Sequence, residues 1–241
     1  MHNYLVTGAT SGIGEGCVRS LIENGNVVVA IGRNEEKLNS LSEEYGASFH
    51  YVPYDLSNLS DIGSIFTYCK EHDLKFDGMV YSAGEDYSSP IKANSIERMR
   101  RLMDVNCLAF VEMARHFYSK RYSNDDASIV AISSIASLTN ETGMVAYSAS
   151  KAALNSAVKT MSKEFVGRGI RVNAILPGGV DTPLAQKKNM LLGKDEESIR
   201  LDQKLGTIPV EQIVNQVEYL LSEKAGYMTG ELIVISGGRK Y

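Results

Sequence analysis

No apolar run in this chain approaches the length of a membrane span, so no membrane partner is expected. Cysteine is scarce: Cys17, Cys69 and Cys107 lie far apart, without CxxC spacing. Odd in number and set in apolar helical patterns, they read as reduced core residues. Neither a disulfide framework nor a metal site is indicated. A large excess of one charge is missing too. Lys and Arg number 25 against 29 Asp and Glu, a formal net charge of -4, which gives no electrostatic case for nucleic acid. Internal repeats, low-complexity segments and linkers are absent, so residues 1–241 are expected to form one domain. The first strand-like run starts almost at Met1, leaving no room for a signal or transit peptide, and the expected compartment is the cytoplasm.

What is present is an alternation. Apolar strand-like runs at 4–7, 27–31, 48–52, 78–82, 128–132, 170–176 and 232–235 are separated by segments of helical periodicity. Most of the strands are continuous apolar runs, as expected when both sheet faces are covered. The predicted fold is a doubly wound α/β Rossmann domain with a seven-stranded parallel sheet flanked by helices.

Between the first strand and first helix lies Thr7-Gly8-Ala9-Thr10-Ser11-Gly12-Ile13-Gly14. A glycine-rich turn in that context lets backbone N–H groups and a helix N-terminus face a pyrophosphate without a Cβ in the way. The second strand ends in Gly32-Arg33-Asn34, where NAD-binding enzymes usually carry an acidic residue for the ribose 2′-OH. Arg33 is either a guanidinium for a 2′-phosphate or an ordinary surface arginine; the position favours NADP(H) over NAD(H). Asp55, beside Leu56, either bonds an adenine amino group or caps the following helix. Ser82-Ala83-Gly84 ends the fourth strand with small residues that let backbone approach a cofactor ring.

A long helical pattern over 96–119 contains Asn106, a mediocre helix former placed there for its amide or merely tolerated. Ser133-Ser134 follow the fifth strand. Tyr147 and Lys151 stand one turn apart on one face of the next helix. A phenol has an ordinary pKa of about 10, and an ammonium one turn away is expected to lower it, suiting the phenol to proton transfer. The stripe of Leu154, Val158, Met161 and Phe165 serves a partner helix or packs on its own sheet. After the sixth strand come Pro177-Gly178-Gly179-Val180-Asp181-Thr182 and a polar excursion over 183–206 without clear strand character. That excursion reads as a mobile lid over a substrate or a long surface loop.

Assembled in order, these residues resemble the short-chain dehydrogenase/reductase family in its compact single-domain branch, over the whole span 4–238. The resemblance implies a catalytic tetrad of Asn106, Ser134, Tyr147 and Lys151, with Ser134 preferred to Ser133 because the family's serine precedes its tyrosine by thirteen residues. It implies a cofactor site of Thr7, Gly8, Thr10, Ser11, Gly12, Ile13, Gly14, Arg33, Asn34, Asp55, Leu56, Ser82, Ala83, Gly84, Asn106, Tyr147, Lys151, Pro177, Gly178, Val180 and Thr182. In that scheme Tyr147 is the general acid, Ser134 a hydrogen-bond donor, and Lys151 holds the nicotinamide ribose. Asn106 anchors a water linking Lys151 to solvent.

Two positions depart from the family: Ser82 replaces an asparagine and Ser236 an aspartate. Similarity to 3-oxoacyl-[acyl-carrier-protein] reductases makes a carrier-linked 3-oxoacyl thioester one expected substrate, with Lys92, Arg98, Arg100, Arg101, Lys187 and Lys188 as a candidate docking patch. A sugar, polyol or other small ketone is the alternative. An extended-branch epimerase is disfavoured by the absence of a second domain, and a catalytically silent NADP-binding regulator by the presence of both Tyr147 and Lys151. The family also implies a homodimer or homotetramer.

Overall fold

Strand and helix alternate as the periodicity predicts in a computed structural model of the protein, which describes residues 1–191 and 195–241. The chain runs β1 (Asn3–Thr7), α1 (Gly12–Glu23), β2 (Val27–Gly32), α2 (Glu35–Tyr45), β3 (Phe49–Pro53), α3 (Gly63–Glu71), β4 (Phe76–Tyr81), α4 (Ile96–Met103), α5 (Ala109–Phe117) and β5 (Ser123–Ile132). It continues through α6 (Ala136–Thr139), α7 (Val145–Phe165), β6 (Arg171–Pro177), α8 (Pro183–Leu191), α9 (Glu196–Asp202), α10 (Val210–Leu221) and β7 (Leu232–Ile235). Among the described residues no helix is long and apolar enough to cross a membrane.

The seven strands form one sheet in the order β3-β2-β1-β4-β5-β6-β7, with every neighbouring pair parallel. Parallel neighbours require crossover helices, and these cover both faces. Alternate residues of each strand therefore enter different cores: Leu5 and Met79 join Phe66, Phe110 and Leu154 on one face, while Val6 and Val80 join Val18, Leu38 and Val217 on the other. Each such fully buried side chain contributes about 1.5–3 kcal/mol, which is why the strands read as unbroken apolar runs. Leu154, Val158 and Phe165 are buried in the first of these cores with Met161 packed at its edge, so the stripe belongs to the chain's own sheet. The order reverses between β1 and β4, and in open sheets of this kind ligands bind beyond the strand ends at that crevice.

Two expectations need correction. The 96–119 pattern is not one regular helix: α4 and α5 are joined by a π-helical segment, Asp104–Leu108, that contains Asn106. Tyr81, on β4, donates its hydroxyl to the Val105 carbonyl at 2.5 Å inside this segment, giving that carbonyl a buried partner. The 183–206 excursion is not structureless either. It contains α8 and α9, with Asp195 accepting from the Ser198 amide at 2.9 Å as N-cap of α9. Residues 192–194 of that excursion and the side chain of Lys188 lie outside the described residues.

Candidate active site

The β1–α1 turn is shaped for close approach. Gly8 has φ of +64°, and a Cβ there would lie 2.9 Å from the Ala83 amide nitrogen; one on Gly14 would lie 2.2 Å from the Gly8 carbonyl oxygen. Thr7 locks the turn to β4 by accepting from the Ser82 and Ala83 amides at 3.2 and 3.1 Å. The hydroxyl on β1 thus fixes a strand end where Ser82 stands in place of asparagine. The N-terminus of α1, with Gly8, Thr10, Ser11, Gly12 and Ile13, opens into a cleft of about 830 Å³ at the β1/β4 switch point. Backbone amides at a helix start, unobstructed by side chains, fit a dinucleotide pyrophosphate.

Arg33, Asn34, Asp55, Leu56 and Glu85 line one end of this cleft. Asn34 is committed to α2, whose N-cap it forms by accepting from the Lys37 amide at 3.0 Å. Asp55 does not cap α3. It closes an Asx-type turn by accepting from the Ser57 amide at 2.9 Å, while α3 has Ile62 at its N-cap position and no side-chain cap. Burial pushes the Asp55 carboxyl up, but its bonds to Ser57 and the charges of Arg33 and Arg101 outweigh that and hold it below the usual range.

At the other end stand Ser134, Tyr147 and Lys151, with Ser82, Ala83 and Gly84 between the two ends. Tyr147 sits in the first turn of α7, half-buried, and Ser134 is the hydroxyl beside it in the cleft. Ser133 is buried and turned away, donating to the Lys151 carbonyl at 3.4 Å. Lys151 is buried and donates to the Ile132 carbonyl at 2.9 Å. A Cβ on Gly84 would lie 3.2 Å from Asn106 Oδ1 and 3.3 Å from Lys151 Nζ, so the bare backbone at Gly84 packs close to both groups.

Asn106 lies beneath the cleft and is wholly buried. Its Oδ1 accepts from the Glu85 amide at 2.8 Å, and its Nδ2 donates to the Glu85 carbonyl and Ser150 Oγ, each at 2.9 Å. Ser150 in turn donates to the Tyr147 carbonyl at 2.8 Å. The amide thus ties the β4 exit loop to the first turn of α7, and both its N–H groups are spent on protein.

The electrostatics also differ from expectation. Burial and then the charge of Asp86 raise the Tyr147 phenol above its ordinary value, and the neighbouring Ser134 hydroxyl only partly offsets them. Lys151 does not win against that burial; it is itself lowered by desolvation to about 8, with Asp86 and Cys107 opposing the fall. At neutral pH the arrangement is a protonated phenol beside an ammonium. Helical spacing shows that the two groups are neighbours but not how deeply they are buried.

The wall beyond Tyr147 comes from Pro177, Gly178, Val180 and Thr182 after β6 and from the 183–206 region, including Leu184, Asn189, Ile199 and Asp202. Thr182 Oγ1 accepts from the Ala185 amide at 3.2 Å at the start of α8. Several residues here escaped the sequence reading. Gln203, 2% exposed, accepts from the Gly179 amide at 2.8 Å and donates to the Gly179 carbonyl at 3.0 Å, pinning the segment after β6. Arg239 pairs with Glu141 across the mouth. Asp86 carries its charge into the centre of the site. No motif marks any of them. Of the candidate docking patch, Arg98 lies over the Tyr87 ring at 4.1 Å and Arg101 is tied to Glu85 at 2.7 Å. Among the described residues no cluster of His, Cys, Asp and Glu has a metal-binding arrangement.

Comparison with known proteins agrees with this geometry. Residues 8–240 match the family model described as Enoyl-(Acyl carrier protein) reductase. The chain is 32% identical over 235 residues to the 3-oxoacyl-[acyl-carrier-protein] reductase FabG of Rickettsia felis, covering 97% of this chain and 95% of that protein. It is 30% identical to nodulation protein G of a Rhizobium species, with the same coverage of each. A solved structure of 4-hydroxyisoleucine dehydrogenase complexed with NADH superposes with a TM-score of 0.90 at 31% identity, covering 99% of this chain and 98% of that one. The match from the β1 turn to the C-terminal strand, with the same fold around it, places this chain in the short-chain dehydrogenase/reductase family of oxidoreductases.

Proposed function

We propose that this protein is an NADP(H)-dependent oxidoreductase that interconverts a ketone and a secondary alcohol. The observation that carries the reading is the Ser134–Tyr147 hydroxyl pair beside buried Lys151, in a cleft whose opposite end is a glycine-rich turn with Arg33 at its edge. When bound, the reduced nicotinamide supplies hydride to the carbonyl carbon. Negative charge then develops on the carbonyl oxygen, and Ser134 and Tyr147 are the hydroxyls in place to receive it. Tyr147, held protonated by burial, donates its proton to that oxygen as general acid. The Lys151 ammonium stabilises the phenolate left behind. Asn106 holds the loop and helix that set the distance between these groups. For the cofactor, Gly32 puts no carboxylate at the end of β2, and Arg33 supplies a guanidinium for a 2′-phosphate.

A 3-oxoacyl thioester is the first candidate substrate, supported by the FabG relatives. A small polar ketone is the second, favoured by a specific observation: among apolar Met144, Leu184 and Ile199, the charged Asp86, Asp202 and Glu141–Arg239 pair line the substrate end of the cleft and offer partners to polar substituents. The 4-hydroxyisoleucine dehydrogenase likeness points the same way. The test is cofactor oxidation by the purified protein with NADPH and with NADH over a 3-oxoacyl thioester, a keto-sugar, a diketone and a quinone. Turnover abolished by Tyr147→Phe is expected. Turnover that survives this change would sink the assignment, and the ketone turned over fixes the substrate class.

A further inference from the structure

We propose that Glu85 sets the cofactor choice of this chain: its carboxylate neutralises Arg33 and Arg101, so that the cleft accepts NADH alongside NADPH. The inference rests on the reading of Arg33 as the group that faces a 2′-phosphate. Arg33 Nη1 donates to Glu85 Oε1 at 3.2 Å. From α4, Arg101 grips the same carboxylate in a bidentate pair, Nε to Oε2 at 2.9 Å and Nη2 to Oε1 at 2.7 Å. Asp55 lies 4.0 Å from Arg33 and 3.8 Å from Arg101. Two guanidiniums and two carboxylates leave this end of the cleft with no net charge.

A 2′-phosphate arriving here is attracted by the arginines and repelled nearly as strongly by the carboxylates. A ribose 2′-OH meets no such repulsion and has a carboxylate to donate to. Of the two carboxylates, Glu85 is the closer to both guanidiniums and the better anchored. Its own amide and carbonyl are both bonded to Asn106, and its side chain is 27% exposed against 45% for Asp55. Position along the chain matters as well. Glu85 directly follows Ser82-Ala83-Gly84, where β4 leaves the sheet at the cleft wall, so no acidic residue at the end of β2 is needed to bring a carboxylate to this site.

The experiment is fluorescence titration of the purified full chain with NADPH and with NADH, on native protein, Glu85→Gln, Arg33→Ala and the double variant. Glutamine keeps the size and a carbonyl acceptor for Arg33 while removing the charge. Native affinities for the two cofactors are expected to lie within about tenfold of each other, and Glu85→Gln to tighten NADPH about fivefold with NADH unimproved. Arg33→Ala should weaken NADPH and erase the gain from Glu85→Gln in the double variant. If Arg33→Ala leaves NADPH binding unchanged, the reading of Arg33 fails and this inference with it. If Arg33→Ala weakens NADPH but Glu85→Gln does not tighten it, the role of Glu85 alone is overturned. Circular dichroism of each variant checks that the fold is kept.

Discussion

At one end of the cleft Asn106, Ser133 and Lys151 are buried and bonded to backbone from three different elements. At the other, Arg33, Asp55 and Arg101 stand in solvent with side chains 59%, 45% and 44% exposed, the two arginines bonded mainly to the Glu85 carboxylate. Burial makes position and protonation properties of the scaffold: Tyr147 is raised and Lys151 lowered because the fold surrounds them. Exposed pairs are each worth no more than about 1 kcal/mol and are easily re-tuned. The difference teaches where to look for conserved chemistry and where for selectivity. On the proposed reading, reaction belongs to the buried end and cofactor preference to the exposed one.

The comparison can be broken most forcefully at Tyr147. Tyr147→Phe should lower kcat about a thousandfold while circular dichroism stays native, since only the acid is lost. Asn106→Ala should cost about 3 kcal/mol in urea unfolding, because the Glu85 amide and carbonyl lose their buried partner together; an unchanged midpoint would show that this tie is dispensable. Ser134→Ala should lower kcat about a hundredfold with KM little affected, the mark of a bond made mainly in the transition state. A loss confined to KM would move Ser134 to ground-state binding.

Two smaller effects sharpen the contrast. Burial takes Lys151 from the ordinary lysine range down to about 8, so it is charged below that pH and neutral above it. The kcat/KM for reduction should therefore fall as pH rises through about 8, and a rate that stays level there would contradict the role of the ammonium. At the exposed end, Arg33→Ala should weaken NADPH about tenfold by titration, with NADH affected far less.

Much of the buried end was legible in the chain. Tyr147 and Lys151 at helical spacing, the glycine turn after the first strand, and the apolar strands are local patterns with local causes. What escaped depends on contacts far apart in sequence. Gln203 holds Gly179 from across the α8–α9 region, and Arg101 meets Glu85 from a different element. In the π segment around Asn106, the Val105 carbonyl takes its partner from a β4 hydroxyl that no local pattern reveals. The direction of the Tyr147 shift was misjudged for a related reason. Spacing reveals the neighbour, but only the packed fold reveals the desolvation that outweighs it.

The most direct test of the division between the ends is to measure kcat and NADPH affinity together on Tyr147→Phe and Arg33→Ala. The account predicts that Tyr147→Phe loses turnover yet binds NADPH within about threefold of native, whereas Arg33→Ala loses affinity and keeps turnover at saturating cofactor. Turnover retained by Tyr147→Phe, or NADPH affinity retained by Arg33→Ala, would contradict it.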